Sequence, residues 1–307
     1  MKKINIGKVK LNSPTVVAPM EAVNSEAFLR TCGYYGAGLL STQAMENLNN
    51  QFYNFKKTRK DNKLSFQMMV KNSEEALNIA KEIESDVDII DFNFGCPLKP
   101  ILGQKKGGYL LDFPHLIRKI VEPVINEVNT PITIKIRSGF DDKRLTYLQN
   151  GKLAEEIGVG AVTLHARTVR QSYTGDANWE HIKKLKEELE IPVIGNGDIF
   201  KAGHAKYHLE REECDGVMIG RGIKGNPGLF SEINQALNGE KVSPVNRKYQ
   251  FNTLYKFFKE QETQKLSLLK DHAKWMTNSE SNAGKLRLEI EKAKDEEEII
   301  SIFEQNL

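Results

Sequence analysis

Eight short apolar, β-branched runs alternate with helix-period segments along most of this chain of 307 residues, and that alternation leaves few folds open. The runs are Thr15–Ala18, Ala37–Thr42, Leu64–Val70, Val87–Phe94, Ile132–Arg137, Ala161–His165, Pro192–Asn196 and Gly216–Gly220. Several are continuously hydrophobic, as parallel strands covered on both faces are. Between them lie the amphipathic segments Glu26–Tyr34, Glu74–Glu84, Pro114–Val128, Leu145–Ile157, Trp179–Glu190 and Ala202–Glu210, with Pro227–Leu237 as the eighth helix. Asn150-Gly151 and Gly158-Val159-Gly160 read as turns. The pattern predicts the α/β class and a (β/α)₈ TIM barrel over residues 1–238. Gly239–Pro244 reads as a linker, and residues 245–307 carry helix-period segments such as Tyr249–Glu262 and Ala283–Lys294 without a strand signal. A C-terminal all-helical domain is the expectation.

Composition narrows the function classes. With 39% hydrophobic and 28% charged residues the chain is neither a disordered tail nor a fibrous repeat. No run approaches the ~18 apolar residues of a membrane span, and the basic start Met1-Lys2-Lys3-Ile4-Asn5 lacks a signal-peptide core. Cys32, Cys96 and Cys214 are too few for a disulfide framework, so reduced thiols and a cytoplasmic setting are expected, with the chain read as a monomer. The net charge of +3 neither demands nor excludes a nucleic-acid partner. Local clusters say more: Lys2, Lys3, Lys8 and Lys10; Lys56, Lys57, Arg59, Lys60 and Lys63, opposed by Asp61; and Lys99, Lys105 and Lys106. Each is as readily a solvated face as a binding patch. The helical tail balances eleven basic against eleven acidic side chains.

In such a barrel the chemistry sits at the carboxyl ends of the strands. Those ends read Pro19-Met20, Thr42-Gln43, Gln67, Asn93 with Cys96, Lys135 with Arg137, His165 with Arg167, Asn196-Gly197-Asp198, and Gly220-Arg221-Gly222. One polar residue there is ordinarily a satisfied core group; seven ends in phase indicate a ligand site. Glycine turns after the last two strands suit a phosphate. Gly220–Gly225 matches GxGxxG, but no later strand completes a Rossmann unit, and a GxxxxGK[ST] loop is absent. A compact phosphate-bearing cofactor remains. Flavin mononucleotide fits, and pyridoxal phosphate would need Lys135 as its Schiff-base lysine.

Cys96 lies between Gly95 and Pro97 and opens a stretch with Gly103, Gly107, Gly108 and three lysines. A free cysteine is usually a small core hydrophobe, yet this stretch reads as a mobile basic lid. An unperturbed thiol, pKa about 8.5, is a proton donor at neutral pH, whereas adjacent lysines would favour the thiolate. Acid and nucleophile both stay open. Cys32 and Cys214 read as packing residues. His204 and His208 are four apart on a helix without a third ligand, so no metal site is expected. No nucleophile elbow for Ser/His/Asp hydrolysis is found.

These strings together resemble the tRNA-dihydrouridine synthases: Ala18-Pro19-Met20, Asn93-Phe94-Gly95-Cys96-Pro97, Thr133–Gly139, His165-Ala166-Arg167-Thr168, Asn196-Gly197-Asp198 and Met218–Gly222. The likeness spans Val16 to Phe230 and weakens in the helical tail. It implies an FMN barrel with a helical tRNA-binding domain that reduces the C5=C6 bond of selected uridines in tRNA, with NADPH as electron source. By the same resemblance Cys96 is the acid that protonates C5. Pro19, Met20, Gln67, Lys135, His165, Asn196, Asp198, Gly220 and Arg221 hold the flavin, with Lys135 at its N1/O2 side. Asn93, Lys99, Arg137 and Arg167 meet the RNA. Two stretches depart from the family: Glu21-Ala22-Val23-Asn24 stands for Gly-Val-Thr, and Thr42-Gln43-Ala44-Met45 for Thr-Glu-Met. Both bear on subgroup and target position. The rival readings are a flavin barrel acting on a free pyrimidine, like dihydroorotate dehydrogenases, and a non-catalytic RNA-binding barrel.

Overall fold

The computed structural model describes residues 3–48, 55, 58, 59, 62–261 and 265–306. Its centre is a ring of eight parallel strands: β1 (Thr15–Val17), β2 (Leu40–Ser41), β3 (Leu64–Met68), β4 (Ile89–Phe94), β5 (Ile132–Arg137), β6 (Ala161–His165), β7 (Val193–Asn196) and β8 (Gly216–Ile219). They pair in sequence order, and β8 returns to β1. The ring closes between β1 and Leu39, where Val17 N–H donates to Leu39 O at 2.9 Å and Leu39 N–H to Thr15 O at 3.1 Å. The expected TIM barrel is present.

Each strand is buried on both faces because helices cover the outside. The apolar stripe of the helix Ser73–Ile83, for instance, buries Ala76, Ile79, Ala80 and Ile83, and Asn72 caps its start by accepting from Glu75 N–H at 2.8 Å. An antiparallel ribbon, Ile4–Ile6 with Val9–Leu11, fills the amino-terminal end of the barrel. Its Ile4, Ile6 and Leu11 pack on Val16, Leu39, Ile89, Ala161, Ile194 and Met218. The lysines of this stretch had masked an in–out alternation. A second small ribbon, Gly139–Asp141 with Arg144–Leu145, occupies what was expected to be the start of a helix, which begins at Tyr147 instead.

Past Gly239 the chain is helical: Arg247–Lys259, Leu266–Met276, Ala283–Lys292 and Glu296–Asn306. These helices share one core with the barrel; Phe251, Leu254 and Phe258 belong to the same cluster as Val17 and Phe28. The seam is well connected. Arg30 pairs with Glu260 at 2.6 Å, the Tyr34 and Tyr249 hydroxyls meet at 2.6 Å, and Ser25 Oγ lies 3.4 Å from His272 Nε2. Gly225, at φ +78°, lies under Trp275, where a Cβ would come within 2.3 Å of the Trp275 carbonyl oxygen. Of the basic segment 56–63, Arg59 and Lys63 are ion-paired to Asp88, at 3.4 and 3.1 Å; Lys56, Lys57, Lys60 and Asp61 lie outside the described residues.

Candidate active site

At the carboxyl end of the barrel a cavity of about 520 Å³ is lined by groups from most of the strand ends. That volume is in the range of small-molecule pockets, about 300–1,000 Å³. Pro19, Met20, Asn93, Cys96, Lys135, Arg137, His165, Arg167, Asn196, Asp198, Gly220 and Arg221 all line it. Two expected residues do not. Lys99 is exposed at the start of the helix Lys99–Gly103, and Gln67 is fully buried behind Asn93.

Gln67 connects the barrel interior to the cysteine. Thr133 Oγ1 donates to Asp91 Oδ1 at 2.6 Å, Gln67 Nε2 to Asp91 Oδ2 at 2.6 Å, and Asn93 Nδ2 to Gln67 Oε1 at 2.7 Å. Asn93 Oδ1 then accepts from Gly95 N–H at 3.0 Å and Cys96 N–H at 2.9 Å. Arg137 Nε holds the Gly95 carbonyl at 2.8 Å. The cysteine therefore sits on a turn fixed by buried side chains.

The stretch after Cys96 is not the loose lid that its glycines and lysines suggested. It forms the helix Lys99–Gly103 and a 3₁₀ segment Gly107–Asp112, with Gly107 and Gly108 buried. Lys106 is buried too and pairs with Glu46 at 2.8 Å. Gly107, at φ +58°, and Gly108 provide close contact: a Cβ at Gly108 would stand 2.9 Å from the Cys96 carbonyl oxygen. The lysines thus do not set the thiol's charge. Burial raises the Cys96 thiol above its usual range; the Leu98 backbone and the charges of Arg137 and Lys135 pull it down without cancelling that rise, and Glu21 adds to it. Burial thus favours the protonated thiol over the thiolate.

Beside it, no hydrogen bond or ion pair to the Lys135 ammonium is found among the described residues. Burial, seconded by the charge of Arg137, lowers it to about 8 against the opposing pull of Asp91 and Cys96. A half-buried cation facing a cavity is suited to an electron-rich group. His165 is held neutral, well below its ordinary value, by burial and then by Arg137, Lys135, Arg167 and Arg221. Arg167 Nη1 lies 3.3 Å from His165 Nε2, and a guanidinium only donates, which assigns the ring proton to Nδ1.

The far end of the cavity has different chemistry. Asp198, at φ +55°, accepts from Arg167 Nη2 at 2.7 Å, Ala177 N–H at 2.8 Å and Arg221 Nη2 at 3.0 Å. Burial would raise this carboxyl, but those donors hold it below the usual carboxylate range. The turn after β8 packs directly on the turn after β7: a Cβ at Gly222 would lie 2.1 Å from Ile199 O. Gly220 opens a 3₁₀ turn, Arg221–Ile223, whose first N–H groups have no acceptor within the turn. Such a turn beside Arg221 suits a phosphate. Together with Lys135, these residues fit an anionic, phosphate-bearing cofactor.

Sequence reading missed Tyr173, Phe200 and Glu46 at this site. Their strand-end offsets are irregular, and only the loops' packing brings them to the cavity. His204 and His208 turn away from metal chemistry: His204 Nδ1 is 3.0 Å from Asp198 O, while His208 stacks on Trp179 at 3.5 Å and meets Glu213 at 2.6 Å. Among the described residues no cluster of three or more metal ligands occurs.

Barrel and site define an α/β-barrel enzyme with a cavity lined by Lys135, Arg137, Arg167 and Arg221 at the carboxyl ends of its strands. A family model described as dihydrouridine synthase matches residues 16–307, and the chain belongs to that family. It is similar to tRNA-dihydrouridine synthase B of Pasteurella multocida, with 34% identity over 78% of this chain and 74% of that protein. A probable tRNA-dihydrouridine synthase of Rickettsia bellii is 36% identical, over 79% and 77% respectively. Among solved structures, histamine dehydrogenase from Rhizobium sp. 4-9 aligns with a TM-score of 0.60 at 12% identity, over 83% of this chain and 50% of that one. This last likeness speaks to the fold alone.

Proposed function

We propose that this protein reduces the C5=C6 bond of selected uridines in tRNA to 5,6-dihydrouridine, with FMN as its flavin and NADPH as reductant, and that it works as a single chain. Family membership makes it an oxidoreductase of the dihydrouridine synthase type. The observation that carries the residue roles is that Cys96, its thiol raised above its usual range by burial, and the half-buried Lys135 line the same cavity.

Uracil C6 is electrophilic because its double bond is conjugated to the C4 carbonyl, so reduction needs a hydride at C6 and a proton at C5. Reduced flavin, when bound, supplies the hydride. Lys135 places a positive charge where an electron-rich ring edge would be held. The turns at Asn196–Asp198 and Gly220–Gly222 would take the phosphate. Cys96 Sγ delivers the proton to C5, and Arg137 and Lys135 attenuate the charge of the thiolate left behind. Asn93 fixes the Cys96 backbone and faces the same cavity, positioned for the uracil edge. No helix of the described residues is long and apolar enough to cross a membrane.

The test is a purified protein supplied with FMN, NADPH and tRNA that lacks dihydrouridine. The expected result is tRNA-dependent NADPH oxidation with two hydrogens gained per modified uridine. A protein that takes up no flavin, or that turns over orotate or dihydroorotate while ignoring tRNA, overturns the proposal.

A further inference from the structure

The mouth of the cavity holds large apolar side chains in water. Tyr173 is 55% exposed, Leu98 49% and Phe200 45%, and all three line the cavity. Exposed apolar surface gathered at one opening marks a place where something docks. Between two of these rings lies a cation: the Arg221 guanidinium carbon is 5.7 Å from the Tyr173 ring centre and 5.6 Å from that of Phe200.

Tyr173 is held there by buried groups. Arg137 donates to the carbonyls of Thr168 and Ser172 at 3.0 and 2.7 Å, and Arg167 to that of Gly175 at 2.6 Å. Both arginines are only 2% exposed. Ser172 and Gly175 adopt φ of +52° and +65°, so the backbone turns sharply on either side of the tyrosine. Phe200 lies two residues past Asp198, which is itself fixed by Arg167 and Arg221 and whose carbonyl oxygen is 3.0 Å from His204 Nδ1. A pair of fixed aromatic faces is suited to stacked bases, because every base offers a π-face to an aromatic ring.

We propose that Tyr173 and Phe200, braced by the Arg221 guanidinium between them, form a stacking platform for the nucleotides flanking the target uridine. This rests on the tRNA reading above. A uridine drawn into the cavity leaves its neighbours with uncovered faces and costs them stacking. Aromatic surfaces beside the entrance offset that loss and hold the strand in register.

The experiment uses flavin-loaded Phe200→Ala, Phe200→Trp and Tyr173→Leu, and separates the two half-reactions. The expected result is a rise of about tenfold in the tRNA concentration that half-saturates reoxidation of prereduced Phe200→Ala and Tyr173→Leu, the size of one lost base stack. Phe200→Trp should restore the parent value, and flavin reduction by NADPH should be unchanged in all three. Unaltered tRNA saturation in both alanine and leucine variants overturns the platform. So does an equal loss in the NADPH half-reaction, which would assign the rim to the nicotinamide. A parent enzyme that tRNA fails to reoxidise overturns the tRNA reading itself, and the platform with it.

Discussion

Gly107 sets the position of the Cys96 side chain: a Cβ placed on Gly107 would lie 2.8 Å from Cys96 Cβ, closer than two carbons can approach. With φ at +58°, the backbone there is also one that other residues adopt only at a cost of about 1–2 kcal/mol. Gly107→Ala should therefore displace the thiol while leaving the phosphate end of the cavity intact. Flavin affinity is expected to stay within about twofold of the parent and single-turnover reoxidation by tRNA to fall by at least tenfold, a fraction of the ~10²–10⁴ that a general acid contributes. Parental turnover in a folded alanine variant would mean that the contact does not govern the thiol.

Cys96 itself should behave as an acid whose proton is held tightly. Cys96→Ala is expected to lower turnover by about 10²–10⁴-fold with flavin and tRNA binding retained. Because the thiol is raised above its usual range, the single-turnover rate should stay flat through neutral pH and fall only on the alkaline side, as the proton is lost. A rate that rises as pH climbs through that region would instead identify a nucleophilic thiolate.

Lys135 ties cofactor binding to pH. Its ammonium is lowered to about 8, so the cation is present below that value and disappears above it. An anionic cofactor prefers the cation; binding should weaken above pH 8, by at most about tenfold per pH unit. In Lys135→Met the slope should vanish together with much of the affinity. Titration of flavin fluorescence between neutral pH and pH 9.5 reads both, and parallel curves for parent and variant would reject the assignment.

His272 makes the seam acid-sensitive. It is buried against Phe28 and Trp275, and burial lowers it to about 3, from which Asp271 and the Val23 backbone recover little. The unfolded chain takes up a proton below about pH 6.5 that the folded chain refuses down to about 3. Stability from this group is complete above 6.5 and is lost as pH falls through that window, by up to about 1.4 kcal/mol per unit. Denaturant midpoints for parent and His272→Leu at pH 7 and pH 5 measure it. The leucine variant should lose less stability on acidification, and equal losses would place the acid sensitivity elsewhere.

The barrel was legible because parallel strands covered on both faces read as largely apolar runs, and because residues such as Lys135, Arg137 and His165 put charge or an imidazole toward their carboxyl ends. Cys96 stood out for the same reason. Its surroundings did not. Glycines at 107 and 108 signal either freedom or close approach, and only the packed neighbours reveal that here they mean the second. Gln67 stands at a strand's carboxyl end as the cavity residues do, but its amide is engaged by Asp91 and Asn93 of the neighbouring strand, a pairing that no linear spacing encodes. The basic segment near residue 60 looked like one patch because Asp88, which binds Arg59 and Lys63, is distant in sequence.

The ribbon Ile4–Leu11 plugs the amino-terminal end of the barrel, and the cavity lies at the other. On the proposed function, reductant and tRNA both enter from the carboxyl end of the barrel, where the cavity of about 520 Å³ leaves little room for the two together. Steady-state turnover should accordingly follow a double-displacement order, with one reaction partner leaving before the next arrives. Each substrate becomes a competitive inhibitor of the other when in excess.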